Sequence, residues 1–366
     1  MRKVRRRFIP TEIRLLHKAL GPRGKQPGDG LFDDSCSHGE VYCALALSSN
    51  LQIRIVLLFA ALSLASCQQR TKKLIAVVPK ATSHLFFVSV HAGVLAAERD
   101  FGIEVLWNGP RDETDYSRQI EIVDSMVSRH VDALAISATD RTALVAPVKR
   151  AIQAGIPVSV FDSGLDVKGY VTFVATDNYG AGKIAARKLA ELVHGQGKVA
   201  ELMQKPGGSS TGDRERGFDD TMAKEFPALN IIARQYGMGD PAKSRNAAED
   251  ILTAHPDLDG IFASAEANSI GAVQALKARN LSGKIKLITF DSSDIHLAAL
   301  KDGTIDVMLV QDAYRIGYEA VRSLVMKLNG QTPPQQMDLK VHVIRKQDLG
   351  QPDVQALLFP KLHHQE

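Results

Sequence analysis

The chain has 366 residues, 45% of them hydrophobic and 23% charged, with a formal net charge of +4. That balance excludes a disordered or fibrous protein, and the length allows two cores of common domain size. The basic excess gathers near the start, in Arg2, Lys3, Arg5, Arg6, Arg7, Arg14, Lys18, Arg23 and Lys25, whereas the signs mix evenly beyond Lys72; the body therefore implies no polyanionic partner such as a nucleic acid.

Residues 1–50 show no sustained apolar period and contain "GPRGKQPGDG" with the isolated Cys36 and Cys43. They read as a non-native or disordered extension, either from a start placed too early, with initiation near Leu51, or as a cytoplasmic leader. In residues 51–67 every position from Ile55 to Ala65 is apolar apart from Ser63. A membrane-spanning helix needs about 20 such residues, so this run instead fits the core of a signal peptide with Arg54 before it. It ends in Leu64-Ala65-Ser66-Cys67, which resembles the lipobox of bacterial lipoproteins. That resemblance implies cleavage before Cys67 and a two- or three-chain acyl anchor on it, enough for stable membrane attachment. No cysteine follows Cys67, so the body holds no disulfide, thiolate nucleophile or cysteine metal site.

From Lys73 the pattern alternates between short apolar runs and helical periods. "KLIAVVP", "IEVLWNG", "VDALAIS" and "IPVSVFD" read as strands, separated by helices in "FVSVHAGVLAAERDFG", "DYSRQIEIVDSMVSRH" and the stretch after Asp140. After "YVTFVATDN" the alternation restarts through "KVAELMQ", "NIIARQY", "LDGIFAS" and "KIKLITFD", with a helix expected from about Gly217 to Phe226. Strands that are continuously apolar are covered on both faces. The fold class is therefore α/β, with two doubly wound parallel-sheet lobes and a ligand crevice outside the carboxyl ends of the strands.

"GAGKIA" (Gly180 to Ala185) matches G-x-G-x-x-A before a helix, with Glu201 about 20 residues on as in a dinucleotide fingerprint. Its glycines come several residues after the strand and Glu201 falls inside the next one, so a tight packing contact is the better reading. No G-x-S-x-G elbow, G-x-x-x-x-G-K-[ST] loop or H-E-x-x-H pair occurs. No acid–base team stands out, and the body reads as a non-enzyme without cofactor or metal. Polar groups recur instead at strand ends: Asp162, Asp291 and Gln311, with Arg214 in the loop after "KVAELMQ" and Phe86-Phe87 after the first strand. Carboxylates, an amide and a guanidinium bind hydroxyls in directed pairs, and aromatic faces cover the C–H side of a sugar ring.

These segments together resemble the ribose-binding (type I) family of periplasmic sugar-binding proteins of ABC importers. The resemblance is carried by "KLIAVVPKATSHLFFVSVHAG", "AGIPVSVFDSG", "ATDNYGAGKIAA", "RERGF", "LTAHPDLDGIFA", "ITFDSS" and "VQDAYRIGYEA". It implies a lobe of residues 72–176 plus 312–340, a second of 177–311 plus 341–350, three hinge crossings, and a flexible tail over 351–366. It also implies that Phe86 and Phe87 stack on a sugar ring, that Asp162, Asp291 and Gln311 bind hydroxyls, and that Arg214 or Arg216 supplies the arginine, with Arg214 preferred. Four positions depart: His84 for the family's asparagine, Ser163 for its arginine, Gly239 for a second aromatic (with Tyr236 and Met238 nearby), and Ala265 for an asparagine, with Glu266 and Asn268 adjacent. The implied protein is a monomeric, lipid-anchored binder of a sugar or polyol in the periplasm or outer envelope, which delivers its ligand to importer membrane subunits. A ligand-sensing role toward a chemotaxis or kinase receptor uses the same fold, as does a lactose-repressor-type regulator, although the segment before the body lacks the paired amphipathic helices of a DNA-binding head.

Overall fold

The computed structural model describes residues 72–359. The extension, the signal-peptide segment with Cys67, and residues 360–366 lie outside the described residues. The first lobe contains β1 (Leu74–Val78), α1 (Leu85–Phe101), β2 (Glu104–Trp107), α2 (Tyr116–Ser128), β3 (Ala133–Ile136), α3 (Val145–Gln153), β4 (Val158–Phe161) and β5 (Thr172–Thr176). The second contains α4 (Asn178–Leu192), β6 (Gly197–Met203), α5 (Ser209–Glu225), β7 (Leu229–Tyr236), α6 (Pro241–Ala254), β8 (Gly260–Ala263), α7 (Glu266–Ala278), β9 (Lys286–Phe290), α8 (Asp294–Asp302) and β10 (Val307–Val310). The chain then returns to the first lobe for α9 (Ala313–Leu328) and β11 (Gln336–Leu339), and crosses again for β12 (His342–Ile344), a 3-10 turn at Lys346–Gly350 and α10 (Pro352–Leu358).

Each lobe carries a six-stranded sheet, ordered β2-β1-β3-β4-β5-β11 and β7-β6-β8-β9-β10-β12. All pairings are parallel except that of β12, which runs antiparallel to β10 with Leu309 opposite Val343. Alternate residues of each strand feed different cores, as two covered faces require. In β1, Leu74, Ala76 and Val78 pack under one helical layer with Ile122 and Val148, while Ile75 and Val77 join Phe87, Val90 and Ile316 on the other. In β8, Ile261 and Ala263 face one core and Phe262 the other. Edge strands β11 and β12, at four and three residues, escaped the sequence reading because runs that short and polar carry no period.

Two sequence expectations need correction. Arg214 does not sit in a loop: α5 begins at Ser209, so Arg214 stands in its second turn. The glycine- and hydroxyl-rich "GGSSTG" hides this helix start, because its stability comes from packing against α4 and not from propensity. Nor is 351–359 a flexible tail. Pro352 in the first turn and the spacing of Val354, Leu357 and Leu358 form α10, whose apolar side packs on the second lobe's core.

"GAGKIA" is a helix crossing. A Cβ on Gly182 would stand 1.9 Å from the Arg214 carbonyl oxygen, and one on Gly217 would stand 2.1 Å from that of Tyr179. The first lobe repeats the contact between α1 and α9, where a Cβ on Gly93 would stand 1.9 Å from the Tyr314 carbonyl oxygen and one on Gly317 2.1 Å from that of Val90. Glu201, the other half of the fingerprint, lies inside β6 and is wholly buried. Burial, reinforced by the Asp219 and Glu215 charges, pushes its pKa up to about 9. Arg234 approaches at 3.5 Å but gives its closer bond, 2.7 Å, to Asp219.

Gly182→Ala gains up to about 1 kcal/mol of helix propensity but drives a methyl into backbone, an overpacking loss of about 3 kcal/mol. Urea unfolding is expected to show net destabilisation in Gly182→Ala and again in Gly317→Ala. For Glu201 the sign runs the other way. Its folded pKa lies above the ordinary carboxylate value, so wild-type stability is full below that value and falls as pH rises toward 9. Glu201→Gln removes that loss, and its gain over wild type is expected to be larger at pH 8 than at pH 5.

Candidate functional site

The carboxyl ends of both sheets face each other across a narrow cleft lined by Lys80, His84, Phe86, Phe87, Glu113, Asp162, Gln204, Ser210, Thr211, Arg214, Ala265, Glu266, Asp291 and Gln311. Two strand-ending aspartates occupy equivalent positions in the two lobes. Asp162 follows β4 with φ 56° and Asp291 follows β9 with φ 68°. The left-handed region costs most residues about 1–2 kcal/mol, and aspartate is one of the few that visit it. Each aspartate still donates its backbone N–H to the neighbouring strand, Asp162 to Val174 and Asp291 to Leu309, both at 2.8 Å. The side chains are held too: Ser137 donates to Asp162 at 2.7 Å, and the Gln311 amide to Asp291 at 2.8 Å. Gln311 in turn accepts from Thr176 at 2.7 Å, so two hinge crossings are tied to a cavity carboxylate.

Arg214 reaches into the cavity from α5 and is almost fully buried. It donates to the Ser264 carbonyl and, at 2.8 Å, to Asn178, and its guanidinium lies 3.3 Å from the centre of the Phe290 ring. Its Nε has no partner. Burial lowers its pKa to about 10, which leaves it charged at neutral pH. Arg216, by contrast, is exposed and pairs with Asp213 on the surface. Phe86 is half-buried at the cavity wall, edge-on to Phe87 at 5.0 Å, and Phe87 itself anchors the first lobe's core.

Two pairs of strand ends are clamped from behind. The buried Gln119 amide donates to the carbonyls of Pro79 and Ser137 at 3.0 and 2.7 Å, and its oxygen accepts from Thr139 at 2.9 Å. In the second lobe the Glu215 carboxylate accepts from the Gln204 N–H at 2.9 Å and the Ser264 hydroxyl at 2.7 Å.

Comparison with known proteins adds a decisive observation: residues 75–332 match the family described as periplasmic binding protein domain. The chain belongs to that family. It is similar to the D-ribose/D-allose-binding protein of Pseudomonas aeruginosa, at 31% identity over 76% of this chain and 90% of that one. The ribose import binding protein of Bacillus subtilis is 32% identical over 67% of this chain and 78% of its own. Among solved structures, a carbohydrate transporter solute-binding protein from Agrobacterium radiobacter in complex with D-arabinose superposes with a TM-score of 0.77 at 32% identity, covering 79% of this chain and all of that one. An Agrobacterium vitis ABC transporter solute-binding protein with bound D-fucose gives 0.76 at 33% identity, over 78% and 99%. Three of these relatives are named as import or transporter binding proteins.

Within this family frame, the departures seen in the sequence are filled from unexpected places. Ser163 is buried and does not line the cavity; its hydroxyl accepts from the Ser210 N–H across the lobes at 3.4 Å. The cation absent there comes from the end of β1, where Lys80 stands 3.2 Å from Asp162 and 3.9 Å from Glu113. Burial opposes the Lys80 charge, but the two carboxylates outweigh it and its pKa is raised. Burial would raise Glu113 as well, yet Lys80 and His84 hold it well below the carboxylate range. At Gly239 no aromatic enters, since Tyr236 and Met238 are exposed and the loop lies against Gln204 and Glu113. Beside Ala265, Glu266 supplies the polar group. Trp107 stacks on His91 at 4.4 Å, away from the cavity. Lys80, Glu113, Gln204, Ser210 and Thr211 were missed; the one sequence signal was the position of Lys80 directly after a buried strand.

His84 pairs with Glu113 at 3.5 Å. Burial lowers its proton affinity, but the Glu113 carboxylate prevails and the pKa is pushed up to about 9. A raised histidine stabilises the fold fully below its ordinary value of 6.5 and loses that contribution as pH rises through 9. Denaturation at pH 6 and pH 9.5 is expected to show His84→Gln closing the gap between the two by up to about 3 kcal/mol.

Proposed function

We propose that this protein is a lipid-anchored, extracytoplasmic receptor that captures a neutral monosaccharide between its lobes and hands it to an ABC importer. The observation that carries the reading is the charge pattern of the cavity. Three cations (Lys80, His84, Arg214) face four carboxylates (Glu113, Asp162, Glu266, Asp291), and burial raises the pKa of both Glu266 and Asp291. Such a lining is close to balanced. It suits a ligand that offers many hydroxyls and no net charge, each hydroxyl donating to a carboxylate or accepting from a cation.

The relatives' ligands support this class: D-arabinose, D-fucose and D-allose in the similar structures, ribose and apiose in the names of similar import proteins. In the proposed complex Phe86 covers the apolar face of the ring, Asp162 and Arg214 hold hydroxyls from opposite lobes, and Asp291 with Gln311 reads the hydroxyls nearest the hinge. Closure around the sugar presents both lobes together to the importer. Anchoring at Cys67 would keep the receptor at the membrane that houses that importer.

Titration calorimetry of the full chain against D-ribose, D-allose, D-arabinose, D-fucose and D-tagatose is expected to give one-site binding for at least one sugar. Asp291→Asn keeps a side chain that tolerates the left-handed backbone and one acceptor oxygen for Gln311, while it removes the charge and turns the other oxygen into a donor. It is expected to weaken binding by roughly 10- to 100-fold, the worth of one charged hydrogen bond. No heat with any of the five sugars would overturn the sugar assignment. Anchoring is checked separately by metabolic incorporation of a palmitate analogue, expected in wild type and absent in Cys67→Ser.

A further inference from the structure

Helix α1 begins without a cap of its own. His84 precedes it in extended conformation and makes no side-chain bond to the first turn, and no acidic residue stands in that turn. The first N–H groups of a helix have no partner inside it and carry the positive end of its dipole. In α1, a helix of 17 residues, two of them are satisfied from the other lobe. Glu266 Oε1 accepts from the Leu85 N–H at 3.3 Å and Oε2 from the Phe86 N–H at 3.1 Å. Glu266 opens α7, directly after β8 and Ala265, and only 8% of its surface is exposed.

We propose that Glu266 is a cross-lobe latch: its carboxylate caps α1 only when the lobes meet, and by holding the Phe86 backbone it positions the aromatic wall of the cavity. Other bonds join the lobes, including Lys80 to Ser210, Lys205 to the Thr139 carbonyl and the Arg141 N–H to Gly207. Glu266 differs from these because it grips the backbone of the element that carries Phe86. Glu266 could have served the N-terminus of its own helix, yet both of its oxygens are turned to α1. Apart, the carboxylate and the two amides are each hydrated; together they form a charge-assisted, nearly dry pair. The two bonds exist only in the closed arrangement, where they offset part of the cost of burying the carboxylate. The role as a wall-positioning residue rests on the sugar-site reading, whereas the latch itself does not.

The test is hydrogen exchange of the full chain without ligand, read at the Leu85 and Phe86 amides. In wild type these are expected to be protected. In Glu266→Ala they should exchange roughly tenfold faster, as fits loss of a charged hydrogen bond, while Ile75 to Val77 in β1 stay as slow as before. Glu266→Gln keeps an oxygen for one amide and is expected to restore part of the protection, and it replaces the alanine variant if that one melts early. Unchanged exchange at Leu85 and Phe86 would overturn the latch, as would faster exchange spread evenly through the first lobe. In the second arm, the five-sugar panel is repeated on both variants, with dissociation constants expected to rise about tenfold in Glu266→Ala and less in Glu266→Gln. An affinity unchanged in Glu266→Ala would overturn the positioning role. Failure of every sugar to bind wild type would defeat the sugar-site reading and the positioning role with it; the exchange result would still decide the latch.

Discussion

The arrangement of the cavity depends on charge compensation. Bringing the two lobes together takes Lys80, Glu113, Asp162, Arg214, Glu266 and Asp291 out of water, each less than a tenth exposed. An uncompensated charge in such a place is worth several kcal/mol against the fold. The structure answers with shared partners instead of isolated pairs. Lys80 bridges Asp162 and Glu113, Glu113 also holds His84, and Arg214 is sandwiched between Phe290 and two acceptors. Because Lys80, Glu113 and Arg214 each touch more than one neighbour, the loss of one group weakens several contacts at once. The same sharing fixes the directions in which the polar atoms of the cavity point.

The sheets explain why the groups converge. Parallel strands in a doubly wound lobe all end on the same side, so a residue that follows a strand faces the crevice. Asp162 and Asp291 exploit this twice over. Their left-handed backbone turns the chain sharply while the N–H remains in the ladder, so the carboxylate is aimed by the sheet itself and not by a mobile loop.

Much of this was legible from the chain alone. Continuously apolar strands predict two covered faces, and strand-end aspartates predict a crevice, because both follow from local pattern and parallel topology. What stayed hidden depends on the meeting of the lobes. Glu113 and Thr211 belong to a loop and a helix start whose neighbours lie far along the chain, so nothing local marks them. Serine at 163 looked like a missing cation; the cation is present but comes from another strand. A glycine spared for a phosphate and one spared for a crossing helix also look alike in sequence; the distance from the strand favours the crossing, and the carbonyl facing Gly182 shows it.

The helix crossings have a mechanical consequence. Residues 177–182 read Asp-Asn-Tyr-Gly-Ala-Gly and 312–317 read Asp-Ala-Tyr-Arg-Ile-Gly, the same D-x-Y-x-x-G pattern. In both, the aspartate caps the helix that starts at the crossing, by accepting from Gly180 or Arg315, and the final glycine lets that helix press against its neighbour's backbone. Each lobe is thereby keyed to the fulcrum by a stiff arm seated without side-chain padding. A rotation at the crossings would therefore carry each helix with its lobe rather than slide it against its neighbour.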